Sequence, residues 1–358
     1  MKISYDTMGA GLGLALLFSC AVSAAELPPF SVSSGVPLLQ GRVSTGAVVG
    51  RGGNFSVRAP GGTLWLLNNV WMGEEKEDGQ RAVWGIIDGA AAFSDSTAPY
   101  SQAGAAYVAD ENGWPLPLLS GDLKEYSQAR KFWPRSGACD GNRCFVFYSI
   151  MNNFGPEPYD FFRVGQGVAS AAKPAGPYAK ARVSGRYSFW NDIEPAFGSA
   201  LLAGGDGWVY VYGRAVTAPG EYPVKLARAR FENLDSRDKY SYYSQETASG
   251  AWTADLAEAS QVLEGLPEEF SVSYNEALEA YLAVYSDPES GSAMATTAPF
   301  PWGPWSPPSP LLTCAREDYC FGAKEQPAFA AGGGRTVYLT VEKKNVPYLY
   351  EVNFKPGE

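Results

Sequence analysis

Apolar and polar residues alternate with period two through most of the chain. Five times the alternation breaks at a Gly- or Asn-marked turn and resumes as a second, aromatic-rich run. The hairpins read NFSVRAPGGTLWLLNN (Asn54–Asn69), RSGACDGNRCFVFYS (Arg135–Ser149), FGSALLAGGDGWVYVYG (Phe197–Gly213), FSVSYNEALEAYLAVYS (Phe270–Ser286) and PAFAAGGGRTVYLTV (Pro327–Val341). A single period-two hairpin cannot bury its own apolar faces, so units spread over the whole chain predict a radial array of mutually covering blades. A third strand follows each: Ala82–Ser94, Gly167–Tyr178, Val224–Leu234, Ser292–Ser306 and Pro347–Phe354. Two of these end in Gly-Pro-aromatic, at Gly176-Pro177-Tyr178 and Gly303-Pro304-Trp305. Proline cannot donate into a ladder and suits the end of an outer strand. The fold class expected is therefore all-β, a five-bladed β-propeller; a β-sandwich with long loops is the competing arrangement.

With 46% hydrophobic residues, 40 glycines and 26 prolines, the composition is turn-dense yet rich enough for a large core. The moderately helical stretch Trp252–Leu263 is expected between blades. At the N-terminus, Lys2 precedes an apolar run from Met8 to Cys20, and Val22-Ser23-Ala24 offers small residues for cleavage. Residues 1–25 thus read as a signal peptide and 26–358 as one propeller domain outside the cytoplasm, without a transmembrane anchor. Lipidation at Cys20 is the weaker reading, because bulky Phe18 spoils the lipoprotein box. The remaining cysteines pair locally by spacing, Cys139 with Cys144 and Cys314 with Cys320, as suits an oxidising compartment. A zinc site is disfavoured, since the pairs fall in different blades.

Histidine is absent, which removes Ser-His-Asp and Cys-His nucleophiles and all imidazole metal ligands. A net charge of −10 argues against a nucleic-acid partner. No cofactor is expected; oxygen ligands are plentiful enough for a structural calcium, but no spaced acidic loop argues for one.

In a propeller the segments entering the inner strands converge on one mouth of the central channel. Here they carry Arg51 and Asn54; Trp133 and Arg135; Trp190, Asn191, Asp192 and Glu194; Glu268 and Glu269; and Lys324, Glu325 and Gln326. Aromatic faces stack on sugar rings, amides and cations hold hydroxyls, and paired carboxylates are what glycoside hydrolysis needs. Asp192, Glu194, Glu269 and Glu325 are the candidate acids. Asn54, Asn68, Asn69, Trp133, Arg135, Trp190, Asn191 and Gln326 are the candidate sugar contacts. Trp65 and Trp208 alternate within strands and belong to the core, whereas Trp133, Trp190 and Trp302 are candidates for stacking. Each acid taken singly is more often a solvated loop residue or an ion-pair partner than a catalytic group; their convergence gives the set its weight.

The series Phe197-Gly198-Ser199 to Val209-Tyr210-Val211-Tyr212-Gly213, Leu226-Ala227-Arg228-Ala229, Ser271-Val272-Ser273-Tyr274-Asn275, Gly303-Pro304-Trp305-Ser306 and Tyr319 to Glu325 resembles the bacterial family called domain of unknown function 4185. The resemblance implies a five-bladed, glycosidase-like propeller with a glycan site in its central face; some relatives are endo-acting D-arabinan hydrolases. The chain departs from the family pattern in its first hairpin. Leu67-Asn68-Asn69-Val70 stands where an acidic Gly-Asp-Thr-like element is usual, and Arg51-Gly52-Gly53-Asn54 where an aspartate is. Gln326 replaces the histidine that often follows the last-blade glutamate. An amide keeps a carboxylate's hydrogen-bonding shape but exchanges no proton at neutral pH. Two readings follow: a secreted glycoside hydrolase acting on an arabinan-like envelope or extracellular polysaccharide, or a non-catalytic propeller binding a glycan or protein. The protein is expected to be monomeric in both.

Overall fold

The computed structural model describes residues 26–38, 47–95, 98–99, 105–121, 129–156, 160–245, 251–315 and 319–355; the expected leader, with Cys20, and residues 356–358 lie outside these. The chain is all-β. Five antiparallel sheets follow one another in sequence order. Blade 1 comprises Ala47–Ala59, Gly62–Glu75, Arg81–Ser94 and Ala106–Tyr107. Blade 2 comprises Arg130–Cys139, Cys144–Asn153 and Phe161–Ala171, whose outer edge takes Ala179–Lys180 and Trp190–Asn191. Blade 3 is Ala196–Ala203, Trp208–Arg214, Val224–Arg230 and Ser241–Tyr243, and blade 4 is Phe270–Asn275, Ala280–Ser286, Ala293–Ala298 and Ser309–Leu312. In blade 5, Phe321–Glu325, Thr336–Lys343 and Val346–Phe354 are completed by Phe30–Val32 from the start of the described chain.

The inner strands touch in chain order and the fifth returns to the first, so the ring is closed. Both faces of a middle strand are covered, which explains runs such as Leu64-Trp65-Leu66-Leu67 and Phe145-Val146-Phe147-Tyr148, all buried. Alternate residues serve different neighbours. Trp65 and Leu67 pack toward Tyr338 and Leu349 of blade 5, while Leu64 and Leu66 pack toward Val146 and Tyr148 of blade 2. Five such inter-blade clusters form the core. Trp65 stacks on Phe329, 5.5 Å between ring centroids, as expected of a core tryptophan.

Cys139 and Cys144 are register partners whose disulfide closes the blade 2 hairpin, and Cys314–Cys320 ties the exit of blade 4 to the entry of blade 5. Two expectations are corrected. The inner strand of blade 5 is Phe321–Glu325, and Pro327–Phe329 and Gly332–Gly334 are short 3-10 turns of the connection. Their low polarity made the connection look like a strand. The stretch Trp252–Leu263 holds no α-helix: its two short strands, Trp252–Thr253 and Gln261–Leu263, extend blade 3 around one 3-10 turn capped by Asp255. Its helix-favouring residues are outweighed by edge pairing.

Candidate functional site

All inner strands run the same way, so their N-terminal ends, the C-terminal ends of the second strands and the N-terminal ends of the third strands share one mouth of the channel. Bulges bend four inner strands as they enter. Their registers shift between Gly52 and Phe55, Pro134 and Gly137, Phe197 and Ala200, and Phe321 and Lys324. A bulge re-aims side chains that a regular strand would point at the neighbouring blade. In blade 1 it is formed by Gly53 and Asn54, at φ 78° and 52°. Glycine and asparagine suit this left-handed backbone. The Asn54 amide is thereby directed to Glu342 on the second strand of blade 5, its Nδ2 donating to Oε1 at 2.9 Å.

A charged layer closes this mouth. Arg135 donates to Glu269 at 2.7 Å, to Glu268 at 3.1 Å and to Ser149 at 3.0 Å. Lys324, itself buried, donates to the other Glu269 oxygen at 3.0 Å and to the Gly53 and Gly322 carbonyls at 2.6 and 2.7 Å. Arg214 approaches Glu268 at 3.5 Å. Burial alone would raise the Glu269 carboxyl; Lys324 and Arg135 reverse this and hold it below the usual carboxylate range. The opposite happens at Glu342, where burial raises the carboxyl and the nearby Glu269 charge adds to it, against the lowering influence of Lys324. Glu269 Oε2 and Glu342 Oε1 both lie within 3.3 Å of the point a Cβ on Gly322 would occupy, so they are at most about twice that distance apart. Gly52 likewise packs against Glu342, the other carboxyl oxygen lying 3.2 Å from the point its Cβ would occupy. Asn68 is buried, and among the described residues both atoms of its amide lack partners, as does Asn54 Oδ1.

Around this polar floor stands an apolar rim. Trp84 and Ile86 project from the third strand of blade 1, Phe154 and Phe162 from blade 2, Ile193 and Val216 from loops of blade 3, and Tyr319 and Phe321 from the entry to blade 5. Trp84 is 55% exposed and Phe154 66%, the latter's ring 6.0 Å from that of Phe162. Most of the exposed large apolar side chains among the described residues lie at this one mouth.

The sequence-predicted residues divide. Asn54, Asn68, Arg135 and Glu269 meet in the floor. Trp133 is buried beneath the Arg135 guanidinium, edge-on to Phe161 at 4.8 Å. Trp190 is corrected: it is fully buried among Phe147, Phe197 and Tyr240, and its indole N–H donates to Tyr242 at 3.3 Å, so neither face is left for a sugar. Trp302 is stacked between Tyr243 and Phe300. Trp208 is half-buried between Arg228 and Arg230 instead of lying in the core. Asn191, Asp192 and Glu194 build a loop. The Asn191 side chain accepts from the Ile193 and Glu194 amides; Glu194 accepts from the Asn191 amide at 2.7 Å and pairs with Arg237 at 2.6 Å. The Asp192 side chain is exposed, and its carbonyl accepts from Arg163. Asn69 occupies a left-handed position, φ 45°. Gln326 is buried, accepting from the Ser56 amide and donating to Asn54 O and Thr340, so its amide is consumed in joining blades 5 and 1.

Glu342, Arg163 and Arg214 were missed because they lie outside the inner-strand entries. A signal existed for Glu342: a charge ends the apolar run Val337–Val341 on a strand buried on both faces.

Below the charged layer the channel widens into a cavity of about 390 Å³ lined by all five inner strands. Glu325 faces it, with Ser273 donating to Oε2 and Ser271 accepting from its backbone N–H. Among the described residues no group of three acids or cysteines gathers as a metal site would require.

A closed ring of five antiparallel sheets of four to six strands, with acids, cations and amides at one channel mouth, is a five-bladed β-propeller of glycosidase-like fold. The chain belongs to the family described as domain of unknown function (DUF4185), whose model matches residues 86–355. That match begins after the first hairpin, where the chain departs from the family pattern. No match is found among curated proteins. Among solved structures, a putative hydrolase from Bacteroides ovatus is similar, at 18% identity over 85% of each chain and a TM-score of 0.63. A GH43_1 enzyme from Xanthomonas citri, solved with xylose, is similar at 13% identity over 89% of each chain, TM-score 0.52. A family 117 glycoside hydrolase of Zobellia galactanivorans is similar at 12% identity over 91% of each chain, TM-score 0.50. At these identities the likeness is one of fold.

Proposed function

We propose that this protein is an extracytoplasmic propeller that binds a polysaccharide, arabinan-like in class, across the mouth where the inner strands begin. The observation that carries this reading is the pairing of an exposed aromatic rim with a floor of amides, cations and carboxylates. Trp84 and Phe162 offer faces to sugar rings; Arg135, Asn54 and Asn68 form the buried polar floor beneath them. Binding is favoured over cleavage because three of the acids near this mouth are held in ion pairs. Glu268 and Glu269 are neutralised by Arg135, Arg214 and Lys324, Glu194 by Arg237, and the first-blade positions carry amides. The two disulfides and the leader-like N-terminus support an oxidising, extracytoplasmic setting.

One observation favours hydrolysis as a second reading. Glu269 and Glu342 lie close together and their protonation is driven in opposite directions, which is how environments divide acid and base roles between two carboxyls. Titrating the mature protein with arabinans, galactans and other envelope polysaccharides separates the readings. The expected result is a rise in melting temperature with an arabinan, lost or weakened about tenfold in Trp84→Ala, without release of reducing ends. Release abolished by Glu342→Gln establishes the hydrolase instead. No binding and no release from any polymer overturns both.

A further inference from the structure

The cavity inside the channel lies below the charged layer, and it holds a buried acid of a different kind. Glu269 and Glu268 each face cations, and Glu342 feels Lys324 and Arg51. Among the described residues no cation acts on Glu325; burial raises its carboxyl to about 7, opposed by the Ser273 hydroxyl. Adjacent Lys324 donates to Glu269 and the Gly53 carbonyl, its ammonium 4.5 Å from the Phe55 ring centroid. The other charged side chain lining the cavity is Arg58, exposed and turned to the Ala328 carbonyl on the turn side of the channel. Most of the remaining lining is apolar or small: Phe55, Phe270, Val272, Leu201 and Ala200. The Ser56 hydroxyl, also lining it, has no partner among the described residues. Volume and lining match small-molecule sites, which are mostly apolar with a few convergent polar groups. One carboxylate and scattered hydroxyls are too few for a divalent cation, which takes six or more oxygens as calcium or an octahedral shell as magnesium.

We propose that the propeller channel is a second ligand site, separate from the polysaccharide face, for a small organic primary ammonium whose apolar body lies between Phe55 and Phe270 and whose charge pairs with Glu325. The ammonium supplies the counter-charge that the fold withholds from this acid and a donor for the Ser56 hydroxyl. No covalent chemistry is involved. Glu325 must be ionised to pair, so affinity rises with pH through about 7.

Phenethylammonium chloride titrated calorimetrically into the mature protein at about pH 8 is the probe, beside neutral 2-phenylethanol and calcium chloride. The expected result is saturable binding of the ammonium, weakened at least about tenfold in the alcohol, in Glu325→Gln and at about pH 5.5. Ala203→Trp, which narrows the cavity from the turn side without touching the acid, is expected to weaken binding as well and serves if Glu325→Gln does not fold. Equal binding of amine and alcohol, indifference to both variants, absence of binding at millimolar ligand, or displacement of the ammonium by calcium would each overturn the proposal. None of these outcomes bears on polysaccharide binding, which the Trp84→Ala comparison reads separately.

Discussion

The glutamates Glu325, Glu342 and Glu269 within one ring divide into two electrostatic fates, and those fates are measurable. Glu325 goes from about 4.5 in the unfolded chain to about 7 when folded, because burial disfavours its charge. Between those values the folded chain keeps a proton that the unfolded chain has released. Its contribution to stability is therefore complete below about pH 4.5 and lost as pH rises through 7, a swing on the order of 3 kcal/mol. Glu342 pulls in the same direction. Glu269 pulls in the opposite one: its carboxyl is depressed by Lys324 and Arg135 against the cost of burial, so its contribution is present above the unfolded carboxylate range and lost on acidification. Urea midpoints measured at about pH 5 and about pH 8 should show Glu325→Gln gaining relative to wild type at the higher pH. An unchanged difference between the two pH values would mean that Glu325 is not protonated by burial. At this scale the sequence was legible where chemistry clustered at strand entries, as with Arg135, Glu269 and Asn54. It was not legible where burial decides a role, because nothing in the letters around Trp190 or Gln326 says that neighbouring blades close over them.

The element that turns strand into site is the entry bulge. Gly53 lies at φ 78°, and a Cβ there would stand 2.9 Å from the Asn68 amide nitrogen. Gly53→Ala should thus meet both a backbone strain and a clash, destabilising by about 1–3 kcal/mol and tilting Asn54 away from Glu342. The melting temperature reads the first effect. The second predicts weaker polysaccharide binding than in an equally destabilised control such as Val352→Ala, which lies in the core away from this mouth; equal binding in the two variants would remove the bulge from the site. Hairpins were the readable elements, since period-two alternation around a Gly or Asn turn is a local property. The misread ones are those in which tertiary context outvotes local pattern. Pro327–Phe329 is apolar because it packs on Trp65, not because it is a strand, and Trp252–Leu263 gives up its helix-favouring composition to pair with blade 3.

Ring closure is the property of the whole molecule on which both mouths depend. Phe30–Val32 pairs with Val352–Phe354, and Phe30 meets Phe354 edge-on at 6.1 Å, so blade 5 is built from both ends of the described chain. No local pattern announces this, because a three-residue strand carries too little periodicity. It follows from the requirement that an outer strand cover Val352 and Phe354, and from the closing contact between blades 5 and 1 through Gln326, Lys324 and Asn54. Removing residues 26–34 strips one strand from blade 5 and exposes a flat apolar edge. The direct loss is about 2–4 kcal/mol from Phe30 and Val32, with self-association through the bare edge. Because Lys324 and Glu342 belong to that blade, loosening it also releases the clamp on Glu269. The truncated chain is therefore expected to lose polysaccharide binding at temperatures where circular dichroism still reports strand structure. Binding that persists until the whole ring melts would mean that blade 5 does not support the mouth, and would shift the floor of the site toward blades 1 and 2.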